Sequence, residues 1–139
     1  MNEATFQTEF GKRNEIVGIF ELKLAKTKRL PFSALKAHQE KALVHANMGG
    51  GLYHKIADSP FFKDSKARMR FTKPKPADCV FLKDFPAYVV VMFYEKRKKK
   101  NVYYIHIKDF LRMRDESEKK SFGEAEAEDY AEIMVDYKN

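Results

Sequence analysis

Ile19-Phe20-Glu21-Leu22-Lys23-Leu24 alternates apolar and polar side chains, with Phe20, Leu22 and Leu24 on one side and Glu21 with Lys23 on the other. Strand side chains alternate between faces with period 2, so the segment reads as a half-buried strand whose acid and lysine share a face. Such a pair is either the solvated side of an amphipathic strand or one side of a reactive site. A basic turn, Lys26-Thr27-Lys28-Arg29, follows, and Leu30-Pro31-Phe32 leads out of it. The next segment reads as a helix, capped by Ser33, with Leu35, Ala42, Leu43 and Ala46 at helical spacing and Gly49 to Gly51 as its stop. Residues 52–57 read as the next strand. Strand, helix, strand is a right-handed parallel crossover, which sets residues 52–56 beside 19–24 and makes the fold α/β.

The 139 residues suit a single domain, and 44% hydrophobic content is enough for a core despite 34% charged residues. No run approaches the roughly 20 apolar residues of a membrane span, and the start lacks a basic-then-apolar signal pattern. A cytoplasmic protein with no membrane partner is the expectation. The lone cysteine, Cys79, excludes an internal disulfide and a cysteine-based zinc cluster, and its apolar neighbours imply that it packs. Residues 1–114 hold 24 Lys and Arg against 11 Asp and Glu, a balance of +13, whereas 115–139 hold 3 against 9, a balance of −6. A body so basic attracts polyanions, nucleic acid first among them. The acidic tail, about 115–139, reads as an appendage that either lies against that body or stays mobile, with a short helix within 124–136.

Elsewhere, residues 2–13 read as a helix capped by Asn2 or Thr5, with Phe6 and Phe10 forming its apolar stripe and Glu9 beside them. Residues 59–76 form a basic, proline-bearing connection in which Arg68, Arg70 and Lys73 surround Phe61, Phe62 and Phe71. That mixture suits unpaired nucleic acid as well as it suits aromatics pinning a loop to the core. Residues 78–82 and 88–94 read as a hairpin, and residues 102–107 as a further strand. The run Lys96-Arg97-Lys98-Lys99-Lys100 before it has the composition of a hairpin tip able to grip phosphates.

As an ordered set, Glu21-x-Lys23, the series Leu30-Pro31-Phe32 to Leu35-Lys36 and His38-Gln39, and Gly49-Gly50 resemble the RecU and Hjc-type Holliday junction resolvases of the PD-(D/E)xK nuclease superfamily. The resemblance covers roughly residues 5–58, with weaker echoes at 102–110 and 119–122. It implies a restriction-endonuclease-like core: a central mixed sheet flanked by helices. It further implies a homodimer acting on branched DNA, the four-way junction, in a bacterial or phage-infected cell, with paired incisions by Mg²⁺-dependent hydrolysis and Mn²⁺ as a substitute metal. Under it Glu21, Lys23 and Gln39 are catalytic, Glu21 is a metal ligand, and Glu9 matches an acid of the first helix that borders the metal. The DNA contacts it suggests are Lys26, Lys28, Arg29, Lys36, Arg68, Arg70, Lys73 and Lys96, Arg97, Lys98, Lys99 and Lys100. A nuclease acting on flaps, nicks or ends, and a non-catalytic module binding structured DNA, are the alternatives.

One part of the family pattern is missing. A metal-binding aspartate is expected about a dozen residues before Glu21, where the sequence offers only Glu3, Glu9 and Glu15. Glu9 or Glu15 replaces it, or the site is dead, or Asp78, opening an apolar strand after Lys73-Pro74-Lys75-Pro76, supplies the carboxylate as catalytic and metal-binding residue. The third reading is the one preferred, with Asp78 as an ordinary turn residue its rival.

Overall fold

The computed structural model describes residues 1–55 and 77–137. Helix α1, Glu3–Arg13, starts where the Asn2 side chain accepts from the Thr5 backbone N–H at 2.8 Å, and it buries Phe6 and Phe10. Strand β1, Ile19–Ala25, follows, then the short β2, Arg29–Pro31, and a single 3₁₀ turn, Phe32–Ala34. Helix α2 is Ala37–Asn47 and strand β3 is Leu52–Lys55. Beyond residues 56–76, β4 is Cys79–Leu82, β5 is Ala87–Phe93 and β6 is Lys100–His106. Helix α3, Ile107–Glu116, strand β7, Ser121–Gly123, helix α4, Glu124–Tyr130, and strand β8, Ile133–Tyr137, complete the described chain. No helix among the described residues is long and apolar enough to cross a membrane.

The sheet is mixed, in the order β1-β5-β6-β8, with β1 parallel to β5 and the other pairs antiparallel. Ala87-Tyr88-Val89-Val90-Val91-Met92-Phe93 is buried along its whole length. A run apolar at every position needs cover on both faces, which only an inner strand receives. On one face Val89, Val91, Phe93, Tyr103 and Ile105 pack against Leu43 of α2, Phe110 and Met113 of α3 and Ala127 of α4. On the other, Tyr88, Val90, Met92, Val102 and Tyr104 pack against Phe6 and Phe10 of α1, joined by Phe20, Leu22 and Leu24. The expected α/β architecture is present as a mixed sheet with helices on both faces.

The strand partners differ from expectation. Residues 52–55 do not lie beside β1; among the described residues β3 pairs with β4 alone, in an antiparallel ribbon, and the parallel neighbour of β1 is β5. Tyr53, His54 and Lys55 are exposed, so β3 has no apolar set with which to enter the sheet. The expected hairpin of 78–82 with 88–94 fails for the same reason: Cys79, Val80 and Phe81 are exposed on the ribbon, and Cys79 is not packed. The ribbon is tied to α2 at its inner end, where Gly51 N–H donates to the His45 carbonyl and Phe85 N–H to the Ala46 carbonyl. Gly51 has φ +103°, and a Cβ there would lie 2.3 Å from the Phe81 ring. Ser33 does not cap α2 either; it lies in the 3₁₀ turn, and Lys36 holds the cap position.

The acidic segment is built into the fold rather than appended to it. Ile133, Val135 and Tyr137 join the core on the α1 face, β8 pairs with β6, and Glu132 N–H donates to the Tyr104 carbonyl.

Candidate functional site

Among the described residues strand β1 is at the edge of the sheet, and its register with β5 sets Glu21 opposite Val89 and Lys23 opposite Val91, on the face covered by α2. The Lys23 ammonium lies 3.3 Å from Glu21 Oε1 and donates to Gln39 Oε1 at 3.0 Å. The Lys23 side chain is only 12% exposed, against 29% for Glu21. A solvated strand lysine would not be so covered; a covered ammonium requires partners, and these two supply them. Gln39 is fixed in turn, because the same Oε1 accepts from the Lys36 backbone N–H at 2.9 Å at the start of α2. One carbonyl oxygen thus closes the helix terminus and holds the lysine of the neighbouring strand. Glu21 and Lys23 of one strand and Gln39, 16 positions after Lys23, form one cluster at the sheet edge.

Other expected members lie elsewhere. Glu9 is on α1, on the opposite face of the sheet, and pairs with Lys12 at 3.7 Å and Arg13 at 3.5 Å. The Phe6 and Phe10 stripe that seats α1 turns Glu9 toward a cavity with Arg13, Lys100 and Tyr137, so the expectation that it borders Glu21 is corrected. Glu15 is exposed in the segment between α1 and β1. Asp78 is exposed just before Cys79, at the outer end of the β3–β4 ribbon. Four residues of strand, about 13 Å, separate it from Leu82 at the anchored end. The strand it opens is therefore not beside the core, contrary to expectation. No group of three or more His, Cys, Asp or Glu side chains that could hold a metal ion occurs among the described residues.

The basic residues divide by what already engages them. The β5–β6 connection is a hairpin tip, as its composition implies, with Arg97 at φ 65° in the turn. Lys98 pairs with Glu95 at 2.8 Å, Lys99 with Asp136 at 3.1 Å, and Lys100 sits 4.8 Å from the centre of the Tyr94 ring. The Lys98–Glu95 pair is exposed on both sides and of small worth, whereas Asp136, Tyr94 and Lys100 are partly covered. Lys98 and Lys99 face Lys26 and Lys28 across a cavity of about 450 Å³ floored by Phe93 and Tyr94, with Glu95 and Glu124 also lining it. Arg29 has a different role from the phosphate contact expected. Its Nε donates to Ser121 Oγ at 2.8 Å, and its Nη2 bonds to the Ser121 carbonyl and Glu126, clamping β2 to β7 and α4. Lys36 is exposed at the start of α2. Arg68, Arg70 and Lys73, with Phe61, Phe62 and Phe71, lie outside the described residues.

Two features escaped the sequence reading. Arg114 of α3 makes a two-pronged bond to Glu40 of α2, at 2.9 and 3.0 Å, and its guanidinium pKa is raised chiefly by that bond. Residues 119–120, seen only as part of a weak echo, bring two lysines to the segment ahead of α2, where the Lys120 carbonyl accepts from Phe32 N–H at 3.0 Å. The basic residue at 114 was legible, but a partner 74 positions away on another helix carries no local signal.

No protein-family model, curated protein or solved structure gives a match to this chain.

Proposed function

We propose that the protein is a metal-dependent, structure-selective DNA endonuclease, of the kind that makes paired incisions in a four-way junction as a symmetric dimer. The observation that carries the reading is the Glu21–Lys23–Gln39 cluster: an acid, a largely covered ammonium and an amide within hydrogen-bonding reach at an open sheet edge. Its basic surroundings support DNA as the substrate, with Lys26, Lys28, Lys98 and Lys99 meeting at one cavity past the end of β1.

In this reading Lys23 carries the positive charge that meets negative charge building on the scissile phosphate, and it is already desolvated and held in place. Gln39 positions Lys23, and Glu21 balances it before DNA arrives. A magnesium ion commonly binds through one or two carboxylates together with substrate phosphate and its own waters. Glu21 fits that demand, and when bound the metal supplies Lewis acidity at the phosphate. The donor set of the described residues is a single carboxylate at this cluster, which favours one second reading: a structured-DNA-binding module that keeps the fold without cutting.

The test uses a synthetic four-way junction and its linear duplex control, with Mg²⁺ or EDTA. Wild type should make paired symmetric nicks only with the metal, and Glu21→Gln should lose cutting at least 100-fold while binding the junction as before, as expected when one preorganised electrostatic group is removed. Unchanged cutting by Glu21→Gln would sink the assignment. Tight junction binding by wild type with no cutting would make the binding module the better reading.

A further inference from the structure

A groove of about 660 Å³ lies between the 3₁₀ turn and the loop that follows α3, lined by Pro31, Phe32, Ser33, Leu35, Arg114, Lys119 and Lys120. We propose that it holds one unpaired nucleotide of the DNA strand that crosses the Glu21–Lys23–Gln39 cluster. The proposal rests on the nuclease reading and names a substrate feature for it, single-stranded DNA next to the branch.

Three observations carry it. The groove is asymmetric in chemistry: exposed Pro31, with the edges of the otherwise buried Phe32 and Leu35, forms an apolar side, and Arg114, Lys119 and Lys120 a cationic one. A duplex offers phosphates outward and keeps its base faces stacked, which would leave the apolar side without a partner. An unpaired nucleotide brings a base face and a phosphate together, as the stacking sites of single-strand binders require. The volume is within the roughly 300–1,000 Å³ occupied by small organic ligands.

The lysines are also presented on a fixed backbone. Ser117 Oγ accepts from Lys119 N–H and donates to the Lys119 carbonyl, both at 3.1 Å, while the Lys120 carbonyl accepts from Phe32 N–H. Both side chains are exposed, and among the described residues neither has an ion-pair partner. Their charge is available to a ligand.

Finally, adjacent residues of α2 join the groove to the cluster. Gln39 holds Lys23, and Glu40 holds Arg114, which lines the groove. Leu35 of the groove is one residue from Lys36, whose backbone N–H is bonded by Gln39. Groove and cluster are thus tied to neighbouring residues of one helix.

The experiment measures binding of two labelled DNAs in EDTA, where no strand is cut: a fork with unpaired oligothymidylate arms and a fully paired linear duplex. Each is titrated between about 50 and 200 mM KCl with wild type, Lys119→Ala/Lys120→Ala and the control Lys12→Ala, which lies on α1 across the sheet. Each phosphate contact on a single strand contributes about 0.7 to the log–log salt slope, so two lost contacts flatten it by about 1.4. Over that fourfold salt range the affinity lost by the double variant on the fork should shrink by about 7-fold relative to wild type, with little change on the duplex. An unaltered fork slope, or an equal change on both DNAs, overturns the groove as a site for an unpaired nucleotide while leaving the nuclease reading intact. Wild type that binds neither DNA overturns both. The two lysines are exposed, and an unchanged circular dichroism melt certifies that the variants fold.

Discussion

Replacing Gln39 by alanine is the sharpest test of how the cluster is held. The change removes one oxygen that accepts two hydrogen bonds, from the Lys23 ammonium at 3.0 Å and from the Lys36 backbone N–H at 2.9 Å. The first is a bond to a charged donor whose side chain is 12% exposed, worth about 1.5 kcal/mol at the low end of its range. The second resembles a helix cap at an exposed terminus, worth about 0.5–1 kcal/mol. Alanine returns a few tenths through its helix propensity. The net loss should be about 2 kcal/mol, or a melting temperature lower by about 6 °C for a chain of this size. Urea denaturation followed by circular dichroism reads it. Gln39→Glu is the discriminating partner, because it keeps an oxygen at the same place and adds negative charge to the first turn of α2, where it is favourable. It should be as stable as wild type or more so. A loss below about 0.5 kcal/mol for alanine, or a glutamate variant as weak as alanine, would refute the doubly accepting oxygen.

Other outcomes follow from single features. Gly51→Ala forces a side chain onto φ +103° and into the Phe81 ring, so the ribbon should lose about 1–3 kcal/mol of local stability. Amide exchange should quicken at residues 52–55 with the core sheet unaffected, and exchange at the wild-type rate in the ribbon would contradict the strain. The Tyr104 phenol is pushed up to about 12, first by burial and then by Tyr137. Its neutral form is favoured in the folded state, so that contribution is complete below pH 10 and is lost as pH rises toward 12, at up to about 1.4 kcal/mol per pH unit. Tyr104→Phe should flatten the fall in stability over that window, and an unchanged profile would count against it. Arg114→Ala leaves Glu40 without its two-pronged partner between α2 and α3 and should cost about 1 kcal/mol, since the pair is partly exposed. An equal loss in Glu40→Gln would support the pair as the cause, and no loss in either would dismiss it.

The reach of the sequence is clearest at β1. Period-2 alternation put Glu21 and Lys23 on one face, and that arrangement survives in the fold because alternation is a property of the strand itself. Which strand would lie beside it was a different kind of question. Residues 52–57 came next after the helix and so were given the place, but the six consecutive apolar residues from Tyr88 to Phe93 carried the better claim. A strand covered on both faces must be uniformly apolar, and 52–55 are not. The terminal strand was hidden by its charge. Ile133, Val135 and Tyr137 recur at period 2 within an acidic segment, and the neighbouring Tyr130 and Met134 lent them a helical look. Asp78 follows its strand: with β4 in the ribbon rather than beside the core, the aspartate at its mouth lies there too.

The sheet order gives the cluster its character. A pair on an inner strand would be walled in by the side chains of both neighbours, whereas among the described residues β1 has β5 on one side only. Under the proposed nuclease reading that open side is where the DNA strand would approach Glu21, while α2 covers Lys23 through Gln39. The ammonium is thereby desolvated before any ligand arrives, and Glu21 and Gln39 offset that cost in the resting state. Under the proposed nuclease reading, a phosphate would meet a cation that is already largely covered and whose position is fixed from two directions. Such a group stabilises charge that develops later without reorganising to do so.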